Sequence, residues 1–125
     1  MSLETVRIFS WETLPAEQVN PDIRRKFITG ARTTLAQFWL RKGALIPEHA
    51  HESEQLSWVL EGRIRLIVAG ESQTLGPGEV LRIPSNLPHS AEVLEDCHVA
   101  DIFSPLRQDW LDRTDDYLRR STARR

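Results

Sequence analysis

From Thr33 to about Val99 the chain runs as short apolar or alternating stretches separated by turn residues, and the spacing of a half-buried helix is hard to find there. The stretches TTLAQFWLR, QLSWVL, RIRLIVA, EVLRI, HSAEVLE and CHVADIF each read as a strand. Glu61-Gly62, Gly70-Glu71 and Gly76-Pro77-Gly78 supply turns between them, so successive strands are expected to pair antiparallel as hairpins. Such a series closes most economically into a jelly roll or small barrel, which hides sheet edges and leaves a cavity at one mouth. The strand phase puts Trp39 and Trp58 inward as core residues. Beyond the last strand the period changes. Trp110, Leu111, Tyr117 and Leu118 share one helical face behind Pro105, which predicts a helix over about 107–118. The expectation is therefore an all-β jelly-roll barrel with a short C-terminal helix, one domain over 1–125 with its barrel core at about 27–104. Residues 119–125 are expected to form a solvated basic tail.

Composition narrows the functional classes. At 125 residues the chain is one domain by length, with 40% hydrophobic and 27% charged residues, as in ordinary soluble proteins. A formal net charge of -2 gives no reason to expect a nucleic-acid partner. No basic segment followed by an apolar core opens the chain and nowhere do eighteen apolar residues run together, so neither export nor membrane insertion is indicated. A single cysteine, Cys97, excludes an intramolecular disulfide and fits a cytoplasmic protein; it reads as a small core residue, since nothing near it in sequence supplies a base. The apolar N-terminal stretch TVRIFSW is expected to add a strand to a sheet edge of a second copy, giving a homodimer with Trp11 near the contact.

The candidate chemistry is concentrated in GALIPEHAHESEQLSWVLEG, residues 43–62. Alternate side chains of a strand share a face, so His49, His51 and Gln55 are expected to converge on one side while Glu54 faces outward. A third nitrogen ligand must come from elsewhere. His89 opens an apolar run after the turn IPSNLP, and an antiparallel neighbour would bring it opposite the first pair. Three imidazoles and an amide oxygen leave positions on a divalent ion open for substrate. His98 has the opposite parity to Asp101 and reads as exposed or structural.

These residues resemble the two motifs of the cupin superfamily. Gly43, His49, His51, Gln55 and Gly62 match the first, with glutamine in place of the usual glutamate; Gly78, Pro84 and His89 match the second, where Asn86 replaces a glycine and Val93 an asparagine. The likeness extends to small cupins of bacterial pectin degradation that open unsaturated uronate rings, through an early Trp-containing segment, the ligand stretch ending in glutamine, and DIFSPLRQDWL at 101–111. That resemblance implies a divalent transition metal ion, Ni, Zn, Fe or Mn, held by His49, His51, Gln55 and His89. It also implies a pocket formed by Asp101, Phe103 and Arg107: Asp101 as acid and base, Phe103 as an apolar wall against the sugar ring, Arg107 as a fork for the substrate carboxylate. Asp101 shares parity with Val99, which places it inside if Val99 is inside. The expected activity is non-redox ring opening or isomerisation of a small unsaturated uronate. A three-histidine site equally permits a metal-dependent dioxygenase acting on a small aromatic or thiol substrate, and a non-enzymatic ligand-binding or sensor domain is the third reading.

Overall fold

The computed structural model describes residues 5–119. Its strands are β1 (Glu17–Asn20), β2 (Ile23–Thr29), β3 (Thr34–Leu40), β4 (Leu45–His49), β5 (Glu54–Glu61), β6 (Ile64–Val68), β7 (Glu71–Leu75), β8 (Val80–Ile83), β9 (His89–Val93) and β10 (Cys97–Ser104). Two short helices follow, α1 (Gln108–Asp112) and α2 (Asp116–Arg119). All strand pairs are antiparallel, in a six-stranded sheet ordered β1-β2-β3-β10-β5-β8 and a four-stranded sheet ordered β4-β9-β6-β7. This is the expected all-β jelly roll.

The connections differ from the expected run of hairpins. Only the β6–β7 turn joins partners directly among the three glycine turns; Ala69 and Gly70 both have positive φ there, as a two-residue hairpin turn demands. The chain instead changes sheet after β5, at Glu61-Gly62, and after β7, at Gly76-Pro77-Gly78. Gly62 (φ 87) passes so close to the backbone of Asp96 that a Cβ at this position would collide with the Asp96 carbonyl. The crossing therefore requires glycine for space as well as for conformation.

Among the strands that escape a hydrophobic-pattern reading, β2 and β7 carry charged or polar residues where apolar ones are expected. In β2, Arg25 points inward and is 1% exposed, yet Nη1 reaches Asp115 at 3.0 Å and Nη2 reaches Glu17 at 2.7 Å. A buried cation is tolerable only with such partners. In β7, ESQTL is exposed except for Leu75, as befits an edge.

Trp39 and Trp58 correct the expectation of inward aromatics. The inward positions of β5 are Gln55, Ser57 and Val59, so Trp58 stands on the outer face, 48% exposed. Trp39 is outward on β3, stacked on His98 at 4.9 Å and covered by the Arg24 guanidinium at 4.6 Å. The core aromatics are instead Phe38, Phe103 and Trp110, the last making edge contacts with Phe27, Phe38 and Phe103 at 5.3, 5.8 and 5.0 Å. Truncating such a ring to alanine typically costs about 3–5 kcal/mol.

The C-terminal segment is two helices rather than one. Arg113 takes a left-handed conformation (φ 59, ψ 41) and Thr114 N bonds back to Asp109 O at 2.8 Å, closing α1. The break turns Asp115 toward Arg25, while Asn20 Nδ2 donates to Leu118 O at 3.0 Å and Arg119 joins Glu17 at 2.6 Å. One buried cation thus decides how the chain end lies across the barrel. Of the expected basic tail, Arg119 closes α2 and residues 120–125 lie outside the described residues. The N-terminal stretch forms no strand within residues 5–11. No helix among the described residues is long and apolar enough to cross a membrane.

Candidate metal centre and pocket

The histidines reach their positions by a route other than simple strand alternation. β4 ends at His49, its register with β9 slips between Ile46 and His49, and His51 lies in the connection to β5, just ahead of a bend at Glu52 and Ser53. His89 begins β9 and pairs directly with His49. The result is still convergence: ring nitrogens of His49, His51 and His89 all lie within 4.8 Å of one another, the only such group of potential ligands among the described residues. Glu54 is exposed, as its parity predicts.

Hydrogen bonds fix the tautomer of each ring. Nδ1 of His49 bonds to Pro47 O at 2.8 Å, Nδ1 of His51 to Ser53 O at 2.9 Å, and Nδ1 of His89 to Leu87 O at 2.8 Å. A carbonyl oxygen only accepts, so each Nδ1 carries the proton and each Nε2 presents a lone pair. A backbone carbonyl behind the ring is the usual support of a metal-bound imidazole. His89 Nε2 is buried with no hydrogen-bond partner. His51 Nε2 faces Gln55 Oε1 at 3.1 Å, two acceptors against each other, while Gln55 Nε2 donates to Ser57 Oγ at 2.9 Å and holds the amide oxygen toward the cluster. Burial also keeps the rings neutral: it lowers the pKa of His49 to about 3 and that of His51 to about 4, and lowers that of His89, with the positive Arg107 adding to the effect at all three. Four neutral acceptor atoms gathered without a donor between them suit a divalent cation, for which imidazole nitrogen and amide oxygen are fitting ligands.

A cavity of about 60 Å³ adjoins the cluster, lined on its polar side by His49, Gln55, His89, Asp101 and Arg107; His51 lies outside this lining. Deeper in the barrel its walls are apolar, from side chains such as Phe38, Val59 and Leu66. Asp101 on β10 is 6% exposed and its Oδ1 has no hydrogen-bond partner. Burial raises its pKa to about 6, against the opposing pull of Ser57, Arg107 and Gln55. Phe103, two residues on along the same face, packs edge-on against His51 at 5.7 Å.

Arg107 lies just before α1, 3% exposed, its guanidinium 4.8 Å from the Phe103 ring. Its Nε and Nη2 hold Asp109 at 2.9 and 2.7 Å, and Nη2 also donates to Tyr117 Oη at 2.9 Å. Burial opposes the charge, but Asp109 and Tyr117 keep the group protonated. The fork expected to receive a carboxylate is thus already joined to one from the protein's own chain. Arg107 does not pair with Asp101.

Three contributors were not legible as site residues. Tyr117 stacks on His49 with ring centres 4.2 Å apart and planes at 21°, so α2 covers the cluster. Asp109 orients Arg107, and Ser57 orients Gln55. For Ser57 a signal existed, since it shares the face of Gln55; for Tyr117 the helical spacing pointed only to packing. His98 is structural, its Nε2 bonded to Gln37 Oε1 at 2.6 Å. Cys97 is buried, its thiol donating to Arg63 O at 3.1 Å and its pKa pushed up to about 11 by burial, which leaves it inert as a nucleophile.

No curated protein sequence matches the chain. Among solved structures, KdgF from Halomonas sp. matches at 30% identity with a TM-score of 0.79, over 85% of this chain and 99% of that one. An RmlC-like cupin from Shewanella frigidimarina NCIMB 400 matches at 26% identity and the same TM-score, over 85% and 96% of the two chains. The Mn(II) oxalate decarboxylase of Bacillus subtilis shares the fold alone, at 19% identity and a TM-score of 0.70, over 82% of this chain and 31% of its own. The first two are small cupins of the kind anticipated from the ligand motifs. A cupin-domain family model matches residues 38–103, the stretch that carries all three clustered histidines, and the chain belongs to the cupin family.

Proposed function

We propose that the protein is a metal-dependent enzyme that opens the ring of a small unsaturated uronate without redox change. The observation that carries this reading is the placement of a buried Asp101 and a cationic Arg107 on the cavity next to three converging imidazoles, in a chain that resembles KdgF over most of its length. His49, His51, His89 and Gln55 would hold the metal, which when bound supplies polarisation of a substrate oxygen. Everything else falls to the chain's own side chains.

Ring opening moves protons without net change in composition. The hemiacetal hydroxyl gives up its proton, the ring C–O bond breaks, and a carbon of the resulting enol later receives a proton. A carboxyl with a pKa near 6 is suited to both transfers near neutrality, because neither of its forms is rare. Arg107 supplies the positive charge for the substrate carboxylate, through donors that face neither Asp109 nor Tyr117. Phe103 excludes water from one side of the cavity. The apolar walls deeper in the barrel favour a second reading, dioxygenase chemistry on a small aromatic substrate.

The test is incubation of metal-quantified protein with freshly generated 4,5-unsaturated galacturonate, following loss of the alkene absorbance. Acceleration that disappears with chelator and in Asp101→Asn is the expected result. Absence of acceleration by fully metal-loaded protein contradicts uronate ring opening, and metal-dependent O2 uptake with an aromatic substrate would establish the second reading in its place.

A further inference from the structure

The part of the cavity lined by Arg107, Trp110 and Tyr117 presents hydrogen-bond donors without acceptors, the converse of the histidine cluster beside it. A guanidinium carries five N–H hydrogens in one plane, and a carboxylate ordinarily takes a parallel pair of them. In Arg107 one such pair is already engaged, because Nε and Nη2 hold Asp109 at 2.9 and 2.7 Å. The other Nη2 hydrogen goes to Tyr117 Oη at 2.9 Å. That leaves Nη1, which makes no hydrogen bond among the described residues. A ligand carboxylate arriving here therefore meets half a fork.

Tyr117 has the donor that completes it. Its ring lies against His49, 4.2 Å between centres and 21° between planes, which fixes the hydroxyl on the cavity lining. Arg107 can only donate to that hydroxyl, since a guanidinium has no acceptor. The Trp110 indole N–H, also a donor only, lies near the same oxygen, and its buried Nε1 completes no hydrogen bond. The hydroxyl hydrogen must then point away from both, and none of the described residues accepts it. Donors this enclosed are ordinarily paired, because leaving them unpaired is costly. Both side chains are also held in place: Asp109 sets the guanidinium plane, and α2 is pinned by Asp115 to Arg25 at 3.0 Å and by Leu118 O to Asn20 Nδ2 at 3.0 Å.

We propose, resting on the uronate reading above, that Arg107 Nη1 and Tyr117 Oη together bind the substrate carboxylate, one oxygen on each, so that Tyr117 stands in for the second prong of the fork. Tyr117 is then a binding residue that selects an acid over a neutral sugar, and not only a cover for His49. It donates a hydrogen bond and keeps its proton. Asp109 offsets part of the Arg107 charge, so directed hydrogen bonds, more than charge alone, hold an anion at this end of the cavity.

The test is Tyr117→Phe, which removes one oxygen and keeps the ring on His49, so circular dichroism and metal content should match the wild type. With 4,5-unsaturated galacturonate as substrate, KM should rise by about tenfold or more, as expected for loss of one hydrogen bond to a charged group, while kcat falls by much less. Binding is read separately, by calorimetry of both metal-loaded proteins with D-galacturonate and with its neutral amide. The wild type should prefer the acid, and Tyr117→Phe should lose about tenfold or more of that preference. An undiminished preference in the variant overturns the proposal, as does a wild type that does not distinguish acid from amide. A preference for the acid that Tyr117→Phe loses, in a protein that opens no unsaturated uronate, would uphold the carboxylate site and defeat the ring-opening reading alone.

Discussion

Replacement of Asp101 by asparagine should make stability less dependent on alkaline pH. The carboxyl is fully enclosed, one oxygen lacks a partner, and its pKa is about 6 in the folded protein against 3.8 as the ordinary value. Because the folded value is the higher one, its favourable contribution is fully present below about 3.8 and is lost as pH rises through about 6. Relative to low pH, linkage removes about 3 kcal/mol at pH 8, where the carboxylate is ionised inside the barrel, and roughly 1.5 kcal/mol at pH 5, where it ionises mainly in the unfolded chain. Asparagine has nearly the same shape and no charge, and whatever its amide gains or loses in hydrogen bonds does not vary with pH. Between pH 5 and pH 8 the variant should therefore gain about 1.5 kcal/mol relative to the wild type. Urea unfolding of both proteins measures this after chelator treatment, since a nearby cation would itself favour the ionised carboxylate. Parallel stability profiles for the two proteins would refute the argument that Asp101 is held by burial in its neutral form.

Gln55→Ala should lower metal affinity by about tenfold or more while leaving circular dichroism unchanged, because one ligand is lost at a cavity wall; competition with a metallochromic chelator measures it. Asp115→Ala leaves the buried Arg25 guanidinium without its 3.0 Å partner and frees Arg119 from α2, so urea unfolding should show a loss of about 3 kcal/mol or more.

The strands β3, β5, β6, β8, β9 and β10 were legible because their buried faces repeat with period two. β1 and β2 were not, since a run of Arg24, Arg25 and Lys26 reads as solvated until Glu17 and Asp115 are brought to it from elsewhere in the chain. The two tryptophans teach a sharper lesson. Gln55 and Trp58 have opposite parity on one strand, so a Gln55 turned inward already requires Trp58 to face out, whatever its size. The histidine set was legible from spacing, although the chain reaches it through a slipped register and a bend rather than an unbroken strand. Asp101 beside the cluster followed from its parity with Val99. The cover over His49 could not be read, because Tyr117 reaches it only after Arg113 breaks the helix and Asp115 anchors the end to Arg25. That placement depends on an ion pair between residues 90 positions apart.

In the proposed metal centre, the Nε2 atoms of three histidines and the oxygen of Gln55 would hold a divalent ion. Its most direct measurement is the metal content per chain, by plasma mass spectrometry, of wild type, His89→Ala and His98→Ala after reloading and desalting. The expected result is about one equivalent in the wild type and in His98→Ala, whose ring is occupied with Gln37 and Trp39, and almost none in His89→Ala, which loses the buried unpartnered nitrogen. Full metal content in a folded His89→Ala protein, or none in the reloaded wild type, would contradict the assignment.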